Sequence, residues 1–235
     1  MLKRTALYAA HQQLAAKLID FGGWEMPVQY TSITDEHLAV RHAAGIFDIS
    51  HMGEVTISGA GAEAFLNSVL TNDIRKLAAG QGQYTLMCHP GGGVVDDLYA
   101  YRLSEQDYLL IINASRIEAD VAWLQAHAAQ FTGAGLSLQD VSQNYAAIAV
   151  QGPRVKEFIN RVITGAATSV FKVLAVTDLK KNQIAGFPFA DHNILVARTG
   201  YTGEDGFEIF GADSIIELLW AGLLAVGQPF GLKPA

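Results

Sequence analysis

Three short apolar runs follow one another closely in the middle of the chain, and they constrain the fold more than any other feature. The runs cover residues 83–88, 94–103 and 108–112, and each has the length of a β-strand. Pro90 and the glycines at 91–93 join the first two runs through a turn-type connection. This part of the chain is therefore expected to form a largely antiparallel sheet.

Helical patterns lie on both sides of these runs. Apolar residues recur at helical spacing in 61–70 and again in 115–131, where Ile117, Val121 and Leu124 are examples. A further strand is expected at 54–57. The order β-α-β-β-β-α predicts an α+β fold, with helices packed on the sheet.

The flanking segments contain further expected elements. Ser32 is a good N-cap for a helix, with Asp35 three residues on, and Gly45 is expected to end that helix in the left-handed conformation. The other predictions are a helix at 6–15, a strand at 17–21, a loop at 22–27, a strand at 145–150, a helix from Pro153, strands near 172–176, 182–187, 193–198 and 207–210, and a helix near 213–226.

Composition excludes several classes of protein. Of the 235 residues 50% are apolar, and the formal net charge is -7, so a nucleic-acid partner is not expected. The single cysteine, Cys88, cannot form an internal disulfide and is expected to be a buried strand residue rather than a nucleophile. No apolar run approaches the roughly 20 residues of a membrane span, and no secretory signal opens the chain, so a cytoplasmic protein is predicted.

The run at 91–102 is the most informative for chemistry. Because side chains alternate along a strand, Asp97, Tyr99 and Tyr101 share one face, whereas Asp96 shares the other with apolar residues. A carboxylate beside two aromatic rings suits a flat, nitrogen-rich heterocycle. The same pattern also fits a solvated sheet face in which Asp96 or Asp97 caps the turn.

A second candidate stretch is 198–208, with glycines at 200, 203 and 206. It is neither a dinucleotide-binding pattern nor a nucleotide-binding P-loop, because the glycine spacing differs and no Gly-Lys-Ser/Thr ending is present. A hairpin connection that carries Tyr201 and leads to Glu208 is expected, and a purely structural turn is the alternative.

Two other kinds of site are not supported. Asp48, Ser50 and His51 are too close in sequence to converge as a Ser-His-Asp relay, and His51 is expected to be a satisfied structural histidine. The seven histidines show no His-x-x-x-His spacing, so no metal site is expected.

Taken in order, several motifs give the chain a family resemblance. The motifs are KRT.LY (3–8), DFGGWEMP (20–27), E..AVR (36–41), FDISHMGE (47–54), LTND (70–73), GGVVDDL (92–98), QGP (151–153) and RTGYTGEDGFE (198–208). With these motifs the chain resembles the aminomethyltransferases (T proteins) of the glycine cleavage system, although Ala15 stands where the family often has Gly.

The resemblance implies a transferase of one-carbon metabolism and glycine catabolism. Such an enzyme moves the one-carbon unit from the aminomethyl-lipoyl arm of the H protein to tetrahydrofolate and releases ammonia. The implied partners are folate and the lipoylated H protein. Alternatives within the superfamily are a demethylase or the folate domain of a sarcosine or dimethylglycine oxidase, and a third possibility is a folate-binding protein without transfer chemistry.

The resemblance also implies site residues and domains. The catalytic acid would be Asp97, which agrees with the face assignment above. A discontinuous first domain (1–53 and 140–235) would hold an inserted ferredoxin-like domain (54–139), and the family's C-terminal β-barrel would be absent from a truncated chain. The implied folate-binding residues are Met52, Tyr84, Asp97, Tyr99, Tyr101, Asn113, Tyr201 and Glu208.

Overall fold

The computed structural model describes all 235 residues and divides them into two compact units. Unit 1 comprises Met1–His51 and Asn144–Ala235, and unit 2 comprises Met52–Gln143. The helices are α1 (Tyr8–Gln13), α2 (Ile33–His42), α3 (Ala62–Val69), α4 (Ile117–Ala128), α5 (Ile159–Val162) and α6 (Asp213–Gly227). The strands are β1 (Lys17–Phe21), β2 (Trp24–Gln29), β3 (Ala44–Asp48), β4 (Gly53–Ser58), β5 (Gln81–Cys88), β6 (Val94–Arg102), β7 (Asp107–Ile112), β8 (Ser137–Asp140), β9 (Ala146–Gln151), β10 (Ile184–Phe189), β11 (His192–Ala197), β12 (Gly206–Gly211) and β13 (Leu232–Pro234).

Unit 2 is an antiparallel sheet with the order β5-β6-β7-β4-β8. Its core forms where alternate strand residues, such as Leu98 and Leu110, meet the apolar sides of α3 and α4, which include Phe65 and Leu124. The predicted order of strands and helices in 54–131 is confirmed. Strand β8, which completes the edge beside β4, was not predicted.

Unit 1 contains a six-stranded sheet with the order β10-β11-β12-β9-β3-β13 and a separate hairpin of β1 and β2. All neighbours in the larger sheet are antiparallel except β13 and β3, which are parallel. Residues of β9 and β12, such as Ile148 and Phe207, form a core with Leu219 and Trp220 of α6. The chain is thus α+β in both units, as expected. None of the helices is both long enough and apolar enough to span a membrane.

Several local predictions are wrong at identifiable places. The predicted loop at 22–27 is instead a hairpin, because only Gly22 and Gly23 form the turn and Trp24 already begins β2. Both glycines have positive φ, at 60° and 89°, and the Gly23 N–H donates to Asp20 Oδ1 at 2.9 Å. Pro27 is tolerated because the outer side of β2 pairs only at Trp24, through a bridge to Lys3, and not at Pro27.

Helix α2 begins as predicted but ends differently. The Asp35 N–H donates to Ser32 Oγ at 3.1 Å, which confirms the N-cap. Gly45 is not the C-cap, because the helix ends at His42 with Ala43 as its C-cap, and Gly45 lies within β3. A Cβ at Gly45 would lie 2.5 Å from Val40 Cγ2, so glycine is needed for the close approach of α2 to β3.

Other differences concern short elements. The predicted helix from Pro153 is only a 3-10 turn at Val155–Glu157 followed by α5, and the strand near 172–176 is absent. Strand β13 was not predicted. Cys88 ends β5 with its side chain partly exposed, so it is not the buried residue that was expected.

Helix α1 is shorter than predicted and ends at an unusual backbone conformation. Ala15 has φ 54°, in the left-handed region that favours glycine. The Ala16 N–H donates to the His11 carbonyl at 3.0 Å, and the Ala15 N–H to the Gln12 carbonyl at 3.0 Å. These bonds close the helix end in the manner for which glycine is normally used.

Candidate functional site

One face of the unit 2 sheet carries most of the predicted site residues. Along β6, Leu98 and Ala100 point into the core, so Asp97, Tyr99 and Tyr101 point to the opposite face. Strand register places Tyr84 of β5 directly opposite Tyr99. The predicted alternation is therefore confirmed, and it brings four of these side chains onto the same face.

Two further predicted residues lie at the Asp97 end of this face. Ile112 is paired with both Leu98 and Gly53, so Asn113 and Met52 each come one residue beyond a paired position. Asn113 Nδ2 donates to the Asp97 carbonyl at 3.0 Å and lies 3.4 Å from Asp97 Oδ1. Asn113 thus holds the main chain of Asp97 and faces its carboxylate.

The tyrosines on this face differ in exposure. The rings of Tyr99 and Tyr101 lie 4.8 Å apart, and a Cβ at Gly82 would come within 2.4 Å of the Tyr101 ring. Tyr84 is 51% exposed, whereas Tyr101 has no exposed surface. This geometry favours direct ligand contact by Tyr84 and Tyr99, with Tyr101 as a support beneath Tyr99.

Asp96 points to the core face, where it meets a second acid that sequence reasoning missed. Asp120 of α4 is completely buried, and Asn113 Nδ2 donates to Asp96 Oδ1 at 3.1 Å. Burial raises the pKa of Asp120 to about 8, and the hydrogen bond with Asp96 is the second cause of that shift. The positive charge of Arg116 opposes it. The available sequence signal was a charged residue directly before Val121, which lies on the apolar side of the predicted helix.

Glu54 is another buried acid that sequence reasoning missed. It lies opposite Ile111, which in turn lies opposite Tyr99, so Glu54 is on the same sheet face as Tyr99. Its side chain is buried and neither carboxyl oxygen has a hydrogen-bond partner. Burial, with a smaller contribution from Asp140, raises the pKa of Glu54 to about 9. A polar residue in alternation with Val55 and Ile57 was the sequence signal.

Tyr201 and Glu208 belong to unit 1. They lie in and after the connection between β11 and β12, which is a hairpin connection as predicted. A Cβ at Gly200 would collide with the Gln151 side chain, one at Gly206 would collide with a backbone carbonyl, and Gly203 has φ 83°, so all three positions favour glycine. Tyr201 is 96% exposed.

Glu208 lies within β12 and is held by a neighbouring hydroxyl. Thr199 Oγ1 donates to Glu208 Oε2. Burial raises the pKa of Glu208, and the hydrogen bond from Thr199 opposes that shift. The carboxyl of Glu208 therefore has a fixed orientation within unit 1.

Unit 1 also contains a buried polar network that the sequence did not reveal. Asp48 Oδ2 accepts from Thr5 Oγ1 at 2.6 Å and lies 2.8 Å from His11 Nε2, while its Oδ1 accepts from the Ser50 N–H at 2.9 Å. The Tyr30 hydroxyl lies 2.9 Å from His11 Nδ1. Asp48 and His11 are completely enclosed, so this network joins parts of the fold and has no access to a ligand.

The short segment after β3 contains no catalytic relay. Asp48 is bonded to His11, and Ser50 Oγ donates to the Ala147 carbonyl at 3.1 Å. His51 was expected to be satisfied, but its buried Nδ1 has no partner, and its ring packs edge-on against Phe21. Burial lowers the pKa of His51, and the negative charge of Asp48 opposes that shift. No group of three or more His, Cys, Asp or Glu side chains is arranged to hold a metal ion.

Comparison with known proteins identifies the family. Residues 7–235 match the family described as the GCVT N-terminal domain. The chain belongs to this family. Aminomethyltransferases from Bacillus pumilus (strain SAFR-032) and Lysinibacillus sphaericus (strain C3-41) are 48% and 45% identical to it over 234 residues. Both matches cover the whole chain and 61% of the relative, so the chain spans about three fifths of their length.

Solved structures agree with this assignment. The crystal structure of glycine cleavage system aminomethyltransferase T from Bartonella henselae matches with a TM-score of 0.85 and 32% identity, over 100% of this chain and 60% of that one. Heterotetrameric sarcosine oxidase from Corynebacterium sp. U-96 matches with a TM-score of 0.64 and 16% identity, over 100% of both chains. The second likeness shows a shared fold alone.

Proposed function

We propose that this chain acts as a tetrahydrofolate-dependent aminomethyltransferase of the glycine cleavage system. It would take the one-carbon unit from the aminomethyl-lipoyl arm of the H protein, transfer it to tetrahydrofolate and release ammonia. The observation that carries the proposal is the arrangement of Asp97, held by Asn113 at one end of a sheet face beside Tyr99 and Tyr84. Membership of the GCVT N-terminal domain family supports the same function.

The chemistry of this face suits the pterin ring of a folate. Aromatic side chains supply apolar contact to a flat heterocycle, and a carboxylate accepts hydrogen bonds from its N–H groups. Asp97 would hold the acceptor nitrogen in line with the incoming carbon, so that positioning supplies much of the rate. Transfer would break two bonds of the carbon: the carbon–nitrogen bond, which releases ammonia, and the carbon–sulfur bond, which returns the lipoyl sulfur as a thiol. Positive charge would develop on the carbon as these bonds break, and a nearby carboxylate would stabilise that charge.

The domain arrangement is part of the same proposal. We infer that the two units correspond to a discontinuous folate-binding first domain, 1–53 and 140–235, and an inserted domain, 54–139. The strand order β6-β7-β4-β8 in unit 2, with α3 and α4 in one core, supports a ferredoxin-like insertion to which β5 adds an edge strand. Met52, Tyr201 and Glu208 remain predicted folate contacts, and substitution of each one tests it separately.

Substitution of the acid itself is the sharpest test of the function. Asp97→Asn keeps the size of the side chain and removes its charge, so folate binding is expected to survive while transfer falls at least about 100-fold. Ammonia release is measured with aminomethylated H protein and tetrahydrofolate. Glu118→Gln removes an exposed charge from α4 and is expected to leave turnover unchanged. Turnover by Asp97→Asn equal to that of the unsubstituted protein would exclude the catalytic role.

A further inference from the structure

Two buried carboxyls lie behind Asp97 and take no direct part in the proposed chemistry. Asp120 is completely buried, and neither of its oxygens meets an N–H or hydroxyl donor; the same is true of Asp96 Oδ2. The two carboxyl groups nevertheless lie within hydrogen-bonding reach of each other. Two ionised carboxylates only accept hydrogen bonds, so a bond between them requires one to keep its proton.

The Asn113 amide connects this pair to the predicted catalytic acid. Its Nδ2 lies 3.1 Å from Asp96 Oδ1, 3.0 Å from the Asp97 carbonyl and 3.4 Å from Asp97 Oδ1. An amide nitrogen has two hydrogens, and a fixed acceptor at Asp96 directs one of them. The other hydrogen is then directed towards Asp97, so the position of Asp96 determines how Asn113 holds that residue.

We propose that Asp96 and Asp120 are positioning residues, which share one proton and through Asn113 fix Asp97 for its role in the site. This inference rests on the proposed function, because it concerns the acid that would bind the pterin. The pair does not touch the ligand. It supports the site from the core face of the sheet.

The charges around the pair make its state depend on pH. Burial and the neighbouring Asp96 raise the pKa of Asp120 to about 8, Asp97 adds further negative charge, and Arg116 is the opposing cation. Arg116 is exposed and its Nη2 donates to the Val95 carbonyl at 3.3 Å, so it compensates only in part. Above about pH 8 the shared proton is lost, the two carboxylates repel each other, and Asp96 no longer holds the Asn113 amide in one position.

Two substitutions separate proton sharing from simple packing. Asp120→Asn gives Asp96 a permanent N–H donor and cannot titrate, whereas Asp120→Leu removes the partner altogether. Tetrahydrofolate affinity of the unsubstituted protein is expected to fall about tenfold between about pH 7 and pH 9, an effect of about one pKa unit. Asp120→Asn should change less than about twofold over that range, and Asp120→Leu should bind about tenfold more weakly at both pH values.

Controls and a second measurement keep the inference open to refutation. Glu118→Gln, on the same turn of α4, should follow the pH profile of the unsubstituted protein. Identical profiles for Asp120→Asn and the unsubstituted protein, or normal binding by Asp120→Leu, would overturn the inference. If the unsubstituted protein binds no tetrahydrofolate at any pH, the proposed function fails. The NMR resonance of the Asn113 side-chain amide then tests whether Asp96 and Asp120 share a proton. This resonance should shift near pH 8 in the unsubstituted protein and not in Asp120→Asn.

Discussion

Buried acids are treated in opposite ways in the two units. In unit 1, Asp48 is enclosed by donors from Thr5, His11 and Ser50. Burial acts to raise its pKa, but these hydrogen bonds outweigh burial and lower the pKa below its ordinary value. In unit 2, Glu54 is equally enclosed and has no donors, so burial raises its pKa to about 9. Donors rather than burial therefore decide whether a buried carboxyl stays charged.

The difference also separates structural groups from candidate functional ones. The Asp48 network joins α1, β3 and the turn after it. The Asp48 carboxylate and both ring nitrogens of His11 have hydrogen-bond partners. Each unpartnered buried polar group costs about 1–3 kcal/mol, and proteins keep such groups mainly where function needs them. Glu54 and Asp120 lie on the two faces of the sheet that carries Asp97. Their location supports a functional origin for that cost.

Removal of the acid in unit 1 is expected to have the largest effect on stability. Asp48→Ala leaves His11, Thr5 and the Ser50 N–H without their acceptor in an enclosed site. Each buried donor left without an acceptor costs about 1–3 kcal/mol, so with three such donors the free energy of unfolding should fall by about 3–5 kcal/mol. Urea denaturation at neutral pH measures the change.

The matched control and the pH dependence sharpen this first prediction. Glu217→Ala removes an exposed acid from α6 and should change stability by less than about 0.5 kcal/mol. Because the pKa of Asp48 is lowered on folding, its contribution is present above its ordinary value of 3.8 and is lost as the pH falls below that value. Equal losses in the two variants would show that the network contributes nothing.

Glu54 should show the opposite dependence, with a smaller effect. Its pKa rises from 4.5 to about 9 on folding, so its contribution is complete below about pH 4.5 and is lost as the pH rises towards 9. Glu54→Gln cannot titrate and should lack this loss. At about pH 8 the variant is expected to be about 2–4 kcal/mol more stable than the unsubstituted protein, the upper figure corresponding to the full shift. Near pH 5 that advantage should disappear.

Thermal unfolding of Glu54→Gln and of the unsubstituted protein, measured from about pH 5 to 9, tests whether their difference in stability grows with pH. Glu105→Gln, an exposed acid before β7, serves as the control and should follow the unsubstituted protein at every pH. If Glu54→Gln and the unsubstituted protein keep a constant difference in stability from pH 5 to 9, then Glu54 is ionised in the folded protein. The contrast with Asp48 would then be lost.

What the sequence predicted follows from how local each signal is. Alternation along β6 identified Asp97 rather than Asp96 as the residue on the tyrosine face, because strand periodicity is a local property. The bond between His11 and Asp48 joins residues 37 positions apart, and it depends on where α1 lies against β3. No periodicity in the sequence encodes such a contact. Asp120 was missed for the same reason, since only tertiary packing places α4 over Asp96.

Glycine positions show the same limit in the backbone. Gly45 was predicted as a helix cap because glycine commonly follows helices, whereas the structure uses its missing side chain to let Val40 approach β3. The turn at Gly22 and Gly23 was correctly placed, but the strand that follows it was not, because Pro27 and Gly23 both favour a loop in sequence. Pairing with β1 overrides that local preference.

The smallest expected effect tests whether the end of α1 is strained. Ala15 has φ 54°, a conformation that costs an L-residue with a Cβ about 1 kcal/mol or more relative to glycine. Glycine also loses more freedom on folding, so Ala15→Gly should stabilise the protein by a net amount of about 0.5 kcal/mol. Ala9→Gly within α1 is the matched control and should destabilise by about 1 kcal/mol. Urea denaturation distinguishes the opposite signs.

Because α1 carries His11, both changes should act on unit 1 and leave the pH dependence set by Glu54 unaltered. Destabilisation by both substitutions would show that Ala15 bears no strain.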